Sequence, residues 1–416
     1  MATVLGRTLV GTRQSEGMAA DPLGDFIIGG PGNDYLVAGG GADVFGFSLG
    51  DGLDFVAGFT SGVDKIQFGP SVKSSSVFVI PGTIAETPGL IVYYNGLFGP
   101  DAVFLANVSA LQSGDIEYGP LPASLVISVP QDFNADLRAD VLLRQADGSV
   151  AQWQLNGASI IGSAIIANPG RDWYSVPVGD MNGNGRADLL FQNIDGTLAL
   201  WQMDGTIIAE ASVLTNPGPE WMAVGGGDFG GDGRSDILFR HANGDVAVWQ
   251  MNGPTIASAA VVASPGVAWR SVGIADFNGD GKADILLQND DGSLAQWQMD
   301  GTTIAGSSML PKLGAGMYVA GTGDLTGDNL DEILIRQADG TVTVWTLANG
   351  AVSGTVNIVN PGLNWRIAGV GDQNGDGKAD ILLQHTDGSV AQWFMDGANI
   401  VGATVAANPG AEWQVV

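Results

Sequence analysis

The residues of this sequence best suited to chemistry are aspartates set at alternate places of short loops. The clearest copy runs Asp276, Asn278, Asp280, Gly281 and Asp284, with side-chain oxygens at places 1, 3, 5 and 9 and glycine at place 6. Calcium takes about six to eight oxygens at about 2.3–2.6 Å, and alternate side chains of a tight loop converge on one such ion. The glycine permits the left-handed bend that turns the place 7 carbonyl inward. A helix–loop–helix site also needs a bidentate Glu at place 12, where Leu287 stands, and the flanking segments alternate like strands. The pattern therefore predicts a strand–loop–strand calcium site, against the plainer reading of Asp/Asn/Gly turns without metal.

The loop recurs six times, opening at Asp132, Asp180, Asp228, Asp276, Asp324 and Asp372, always 48 residues apart. The sixth copy (Asp372, Asn374, Asp376, Asp380) is as complete as the fourth. The second offers Asp180, Asn182, Asn184 and Asp188, one carboxylate fewer. The third has Asp228, Asp232 and Asp236 but Gly230 at place 3, a gap for water to fill. The fifth substitutes Thr326 and Glu332 beside Asp324 and Asp328, with Asn329 standing in for glycine. The first has Asp132, Asn134, Asp136 and Asp140, but Leu137 takes the glycine place, where positive φ is costly for a bulky residue. The fourth and sixth loops are expected to bind best and the first worst. Arg138, Arg186, Arg234, Lys282 and Lys378 fill place 7, their side chains pointing to solvent or screening neighbouring loops. A metal-free loop gathers carboxylates whose repulsion opposes folding, so the expected role of calcium is structural.

The elements that must hold these loops are strands. All 11 tryptophans fall on two phases of the period. Trp153, Trp201, Trp249, Trp297, Trp345 and Trp393 follow the opening Asp; Trp173, Trp221, Trp269, Trp365 and Trp413 precede the next opening position. In the fourth unit, Trp269 to Ile274, Ile285–Gln288, Ser293–Met299 and Thr303–Met309 read as four strands. Asp291-Gly292 between them signals a type I′ hairpin and Asp300-Gly301 a second turn. Four short strands per unit is the size of a β-propeller blade. The fold class expected is all-β: six four-stranded repeats forming a β-propeller, with a seventh blade if Trp413–Val416 opens a further unit. Between the fourth and fifth units the pattern breaks, with Pro311 to Gly314 in place of the Pro-Gly turn and Met317 in place of tryptophan.

The loops resemble those of FG-GAP (VCBS) repeats, over about Leu125 to Val416. The resemblance implies a propeller with calcium held between two strands of a blade, on the side chains just named. A second resemblance covers about Asp21 to Gly119. Gly29-Gly30-Pro31-Gly32-Asn33-Asp34-Tyr35-Leu36 matches the nonapeptide of RTX β-rolls, Ala38 to Phe45 is a degenerate copy, and Asp25-Phe26-Ile27 ends an earlier one. This resemblance implies a short parallel β-roll with one or two calcium ions near Asp25, Asp34 and Asp43, then a β-sandwich cap from Asp54 to Phe68. The organisation expected is a poorly defined segment at 1–20, the roll and cap at 21–122 and the propeller at 123–416. RTX proteins commonly leave Gram-negative bacteria by type I secretion, so an extracellular location is expected.

Composition narrows the partners. Lys and Arg total 16 against 44 Asp and Glu, a formal charge of -28, which disfavours nucleic acid and anionic membranes and favours cations. With 0 cysteines there are no disulfides or thiolate sites. No apolar run is long enough for a membrane span, and Met1 to Ala20 is too weak for a Sec signal peptide. Three functions compete: a monomeric binding or adhesion module for a carbohydrate or protein ligand, a passive calcium-stiffened spacer, and a propeller-based hydrolase or lyase. Only His241 and His385 offer imidazoles, at a phase where other units hold Gln145, Asn193, Asn289 and Gln337, and no catalytic motif is present. A non-catalytic module is expected, its tryptophans serving blade-to-blade packing before any stacking on sugars.

Overall fold

In each repeat, apolar residues alternate through short segments separated by glycine turns, and each segment becomes a strand of an antiparallel sheet. The structure, a computed structural model, describes residues 8–10, 17–20, 25–28, 33–47, 52–68, 72–85, 87–94, 101–118, 131–348 and 350–416. The chain divides into two compact units, Met1–Ile127 and Ser128–Val416.

The larger unit consists of six four-stranded sheets. The fourth blade is typical: Trp269–Ala275, Asp284–Asn289, Leu294–Asp300 and Thr303–Leu310 pair in sequence order. The first blade differs, because Trp413–Val415 pairs antiparallel with Val141–Gln145 and supplies its innermost strand. Trp413 therefore does not begin a seventh blade. Of the four strands the first is innermost, since first strands of neighbouring blades touch one another, while the fourth is largely exposed. Glycines notch the inner strands. A Cβ on Gly225 would come within 2.7 Å of Ile274 Cδ1 in the next blade, and one on Gly321 within 2.7 Å of Val370 Cγ2.

Among the described residues, six hydrophobic clusters each bridge two neighbouring blades, the last joining the sixth to the first. All 11 tryptophans belong to these clusters or pack on them. Met317 packs in the place of the missing twelfth. Blade-to-blade core is thus where the tryptophan period comes from. One turn departs from expectation. Gly292 has φ 90°, but Asp291 is not left-handed, and Gly292 N–H donates to the Asn289 carbonyl at 2.9 Å. This is a type I turn ending in a left-handed glycine, not type I′; the extra residue lets an ordinary Asp take the corner.

In the smaller unit successive strands alternate between two sheets as far as Phe68. Thr8–Val10, Phe26–Ile28, Val44–Phe47, Lys65–Phe68 and Ile116–Tyr118 form one, all parallel. Gly17–Ala19, Tyr35–Val37, Leu53–Ala57 and Ala102–Ala106 form the parallel part of the other, which Thr87–Tyr93 and Phe78–Ile84 extend antiparallel. Strands thus begin inside the segment 1–20, expected to be poorly defined, and the Asp54 to Phe68 stretch continues the alternation before any cap. The glycines 29–32 lie outside the described residues, whereas Asn33 to Leu36 lie within them.

Candidate metal centre

Five acidic loops join the innermost strand of a blade to the second, and the first leads into the second strand of its blade; backbone bonds between successive loops bring all six to one end of the propeller. Within a loop the place 1 carboxylate is the hub. Asp276 Oδ1 accepts the N–H groups of Asn278 (3.2 Å) and Gly279 (2.7 Å), while Oδ2 accepts that of Gly281 (2.7 Å). Asp180, Asp228, Asp324 and Asp372 gather the same turn. Place 3 and place 5 side chains brace it further: Asn278 Oδ1 accepts from Asp280 N–H at 2.8 Å, and Asp280 Oδ1 from Lys282 N–H at 3.0 Å.

Place 9 faces the blade as well as the loop. Asp284 Oδ2 accepts Phe277 N–H at 3.2 Å and its Oδ1 accepts Met299 N–H at 2.9 Å, tying the loop to the third strand. Asp140, Asp188, Asp236 and Asp380 make the same pair of bonds. This second duty of place 9 is absent from the sequence pattern. Burial pushes these carboxyls up, with help from the place 1 charge. They reach about 7 for Asp188 and Asp284, and about 8 for Asp140, Asp236, Glu332 and Asp380. Asp132 reaches about 7 through burial and the neighbouring Asp136.

The loops form a closed ring. The place 8 N–H of each donates to the place 1 carbonyl of the loop before it: Ala187 to Asp132 (2.6 Å), Ser235 to Asp180 (2.6 Å), Ala283 to Asp228 (2.7 Å), Asp331 to Asp276 (2.9 Å), Ala379 to Asp324 (2.6 Å) and Ala139 to Asp372 (2.5 Å). Place 7 cations lie across the same junctions. A Cβ on Gly231 would sit 3.2 Å from Lys282 Cγ, and one on Gly183 3.2 Å from Arg234 Nε, so glycine at place 4 makes room for the next blade's cation. Lys282 and Lys378 also reach Asp300 and Asp396, each at 2.6 Å. The Asp300 bond holds the Lys282 ammonium above its ordinary range, and the charges of Asp280 and Asp228, one from each flanking loop, reinforce it. These cations therefore screen neighbouring loops. At the fifth loop Leu330 replaces the cation, and Asp331 Oδ2 instead accepts Asp276 N–H at 2.7 Å.

The side chains of each predicted set accept backbone N–H groups of their own loop, and the two non-glycine residues at place 6 share one conformation. Leu137 has φ 61° and Asn329 φ 61°, so both take the left-handed place that glycine fills elsewhere. Among the described residues, no three His, Cys, Asp or Glu side chains are gathered closely enough to hold a metal by themselves. An ion would thus draw on amide, hydroxyl and backbone carbonyl oxygens too, a donor set of the hard type calcium takes. Thr326 fits such a role, because its Oγ1 is buried in the fifth loop without a hydrogen-bond partner. Gly230 departs from expectation: the place opposite it is filled by the Gln250 amide, whose Nε2 lies 2.6 Å from where a Cβ would be.

Asp25, Asp34 and Asp43 are buried in the smaller unit, joined by Asp54 and Asp64. They form ladders. Asp25 N–H donates to Asp43 Oδ1 at 2.7 Å, Asp43 N–H to Asp64 Oδ1 at 3.0 Å, and on the other side Asp34 N–H to Asp54 Oδ1 at 3.0 Å. Alternate turns stack as the nine-residue spacing predicts. Asp54 and Asp64 were not among the expected ligands, although spacings near ten residues continue the series. Both imidazoles serve turns: His241 and His385 rings lie 4.7 Å and 4.8 Å from Trp221 and Trp365, and each Nδ1 accepts a backbone N–H two residues on.

A family profile described as FG-GAP-like repeat matches residues 132–191, 228–287, 276–335 and 324–383, together more than half of the chain. No curated protein sequence matches. Among solved structures, the C-terminal WD40 domain of Sif2 aligns at 12% identity and TM-score 0.35, over 68% of this chain and 75% of that one. Raptor from Chaetomium thermophilum aligns at 11% and TM-score 0.37, over 65% of this chain and 25% of that one.

Proposed function

This chain belongs to the FG-GAP-like repeat family, and on that premise we propose that it is a calcium-stiffened extracellular binding module without catalytic activity. The observation that carries the proposal is the closed ring of acidic loops. Five of the six loops carry side-chain oxygens at places 1, 3, 5 and 9, the third lacking place 3, and each loop is latched to the next by backbone. On the third blade a hollow of about 270 Å³ lined by Trp221, Phe239, Trp249 and Val261 suits the apolar face of a sugar ring. Both histidines are engaged in turns, which supports a non-enzymatic reading.

The aspartate ladders support the reading of the smaller unit as an RTX-like roll that shares calcium between turns, and with it export by type I secretion and folding outside the cell. Among the described residues no helix is long and apolar enough to cross a membrane. A glycan array probed with and without EDTA tests the binding role. Calcium-dependent capture of a glycan, weakened by Trp249→Ala, is expected. A passive spacer would capture nothing under either condition.

A further inference from the structure

The third loop lacks a place 3 side chain, and two residues of its blade, Gln250 and Ser258, meet the gap. Gln154, Gln202, Gln250 and Gln298 occupy equivalent positions on the third strands of blades one to four. In blades one and four the amide lies back over its own outermost strand, against Gly162 or Gly306, and a Cβ on either glycine would collide with its Oε1. That glycine is replaced by Glu210 in the second blade, whose loop keeps Asn182 at place 3, and by Ser258 in the third, so there the usual resting place is closed. Ser258 Oγ instead donates to Gln250 Oε1 at 2.6 Å, and the amide lies between Gly230 of the loop and Gly301 of the next blade. Its Nε2 lies 2.6 Å from the site of a Gly230 Cβ, itself 3.9 Å from Asp228 Oδ1.

We propose that Gln250 is the missing oxygen ligand of the third loop, replacing from the third strand the side chain that Gly230 lacks. A half-turn of the amide exchanges its oxygen and nitrogen, which differ little in shape. The Ser258 hydroxyl accommodates either orientation, donating to Oε1 or accepting from Nε2. With the oxygen turned inward, Gln250 joins Asp228, Asp232 and Asp236 around one ion. Gly230 and Ser258 are then a matched pair: the first makes room for the amide over the loop, and the second keeps it there. The inference rests on the calcium reading of the loops and concerns one ligand within it.

A crystal structure of the full chain grown in calcium tests it directly. The expected result is an ion in the third loop with Gln250 Oε1 at about 2.3–2.6 Å. An ion there with water at place 3, or ions in the fourth and sixth loops but none in the third, overturns the Gln250 assignment and leaves the calcium reading standing. Absence of ions from every loop overturns both. In solution, Gln250→Leu is expected to weaken one calcium site at least roughly tenfold, the scale seen when even a group supporting a metal ligand is removed. Gly230→Asn combined with Gln250→Ala is expected to restore it. An unchanged isotherm for Gln250→Leu, with the fold intact by tryptophan fluorescence, sinks the proposal.

Discussion

Two regions of this molecule bury aspartate for different ends. In the smaller unit each turn contributes one aspartate whose carboxylate accepts the backbone N–H of a neighbouring turn. The balance there is mixed: burial pushes Asp115 up, but hydrogen bonds from Ser61, Gln112 and Gly62 outweigh that and hold its carboxyl below the usual range, whereas burial pushes Asp64 up against the N–H groups of Asp43 and Thr60. In the propeller each loop concentrates several carboxylates, and burial wins. Asp140, Asp236 and Asp380 are pushed to about 8 although each accepts two backbone N–H groups. Acids spread one to a turn are held by backbone N–H groups, whereas acids concentrated in one loop are pushed up by burial and by one another.

That contrast predicts, first, unequal sensitivity to chelation. All 11 tryptophans lie in the propeller, so tryptophan fluorescence reports its unfolding alone. EDTA should lower that midpoint by roughly 10 °C or more, since each site filled tenfold above its Kd adds about 1.4 kcal/mol. Limited proteolysis of residues 25–118 should change less. Equal responses would erase the distinction.

The next largest effect is expected at a hub. Asp276→Ala leaves three loop N–H groups without their acceptor, at roughly 2–5 kcal/mol, and should remove one calcium from the isotherm. Asp132→Ala, in the loop predicted to bind worst, should change calcium binding least. Denaturant titration with and without calcium separates the two contributions.

The pH dependence follows with a definite sign. Carboxyls pushed to about 7–8 when folded bind protons the unfolded chain has released. Their contribution is therefore present at low pH and lost as pH rises through 7 to 8. Metal-free protein should lose on the order of a few kcal/mol between pH 6 and pH 9, and saturating calcium should flatten or reverse the trend. Stability that rises over this window without metal would contradict the electrostatic picture. The smallest effect belongs to Leu137, held at φ 61°. Leu137→Gly should stabilise by about 1 kcal/mol, measurable as a shifted denaturant midpoint.

Much of this was legible because it is local. The 48-residue period, the four strands and the loop ligands recur within one unit, and a left-handed place at Leu137 follows from its neighbours' glycines. What stayed hidden lies between units. Trp413 pairs with Gln145 across nearly the whole propeller, and no periodicity announces which strand a terminal segment will join. The place 8 latch uses backbone alone, so no residue type marks it. Place 4 glycine answers to a cation one blade away, and Gln250 answers to a glycine twenty residues earlier. The aspartate ladder was half legible: Asp25, Asp34 and Asp43 keep a nine-residue spacing that Asp54 and Asp64 loosen.

Counting calcium bound per chain by equilibrium dialysis, across free calcium from about 0.01 to 10 mM, tests the central claim most directly. The ring of loops predicts several ions per chain, filling around or below about 1 mM, with one fewer after Asp276→Ala. Fewer than one ion per chain at the top of the range would contradict it.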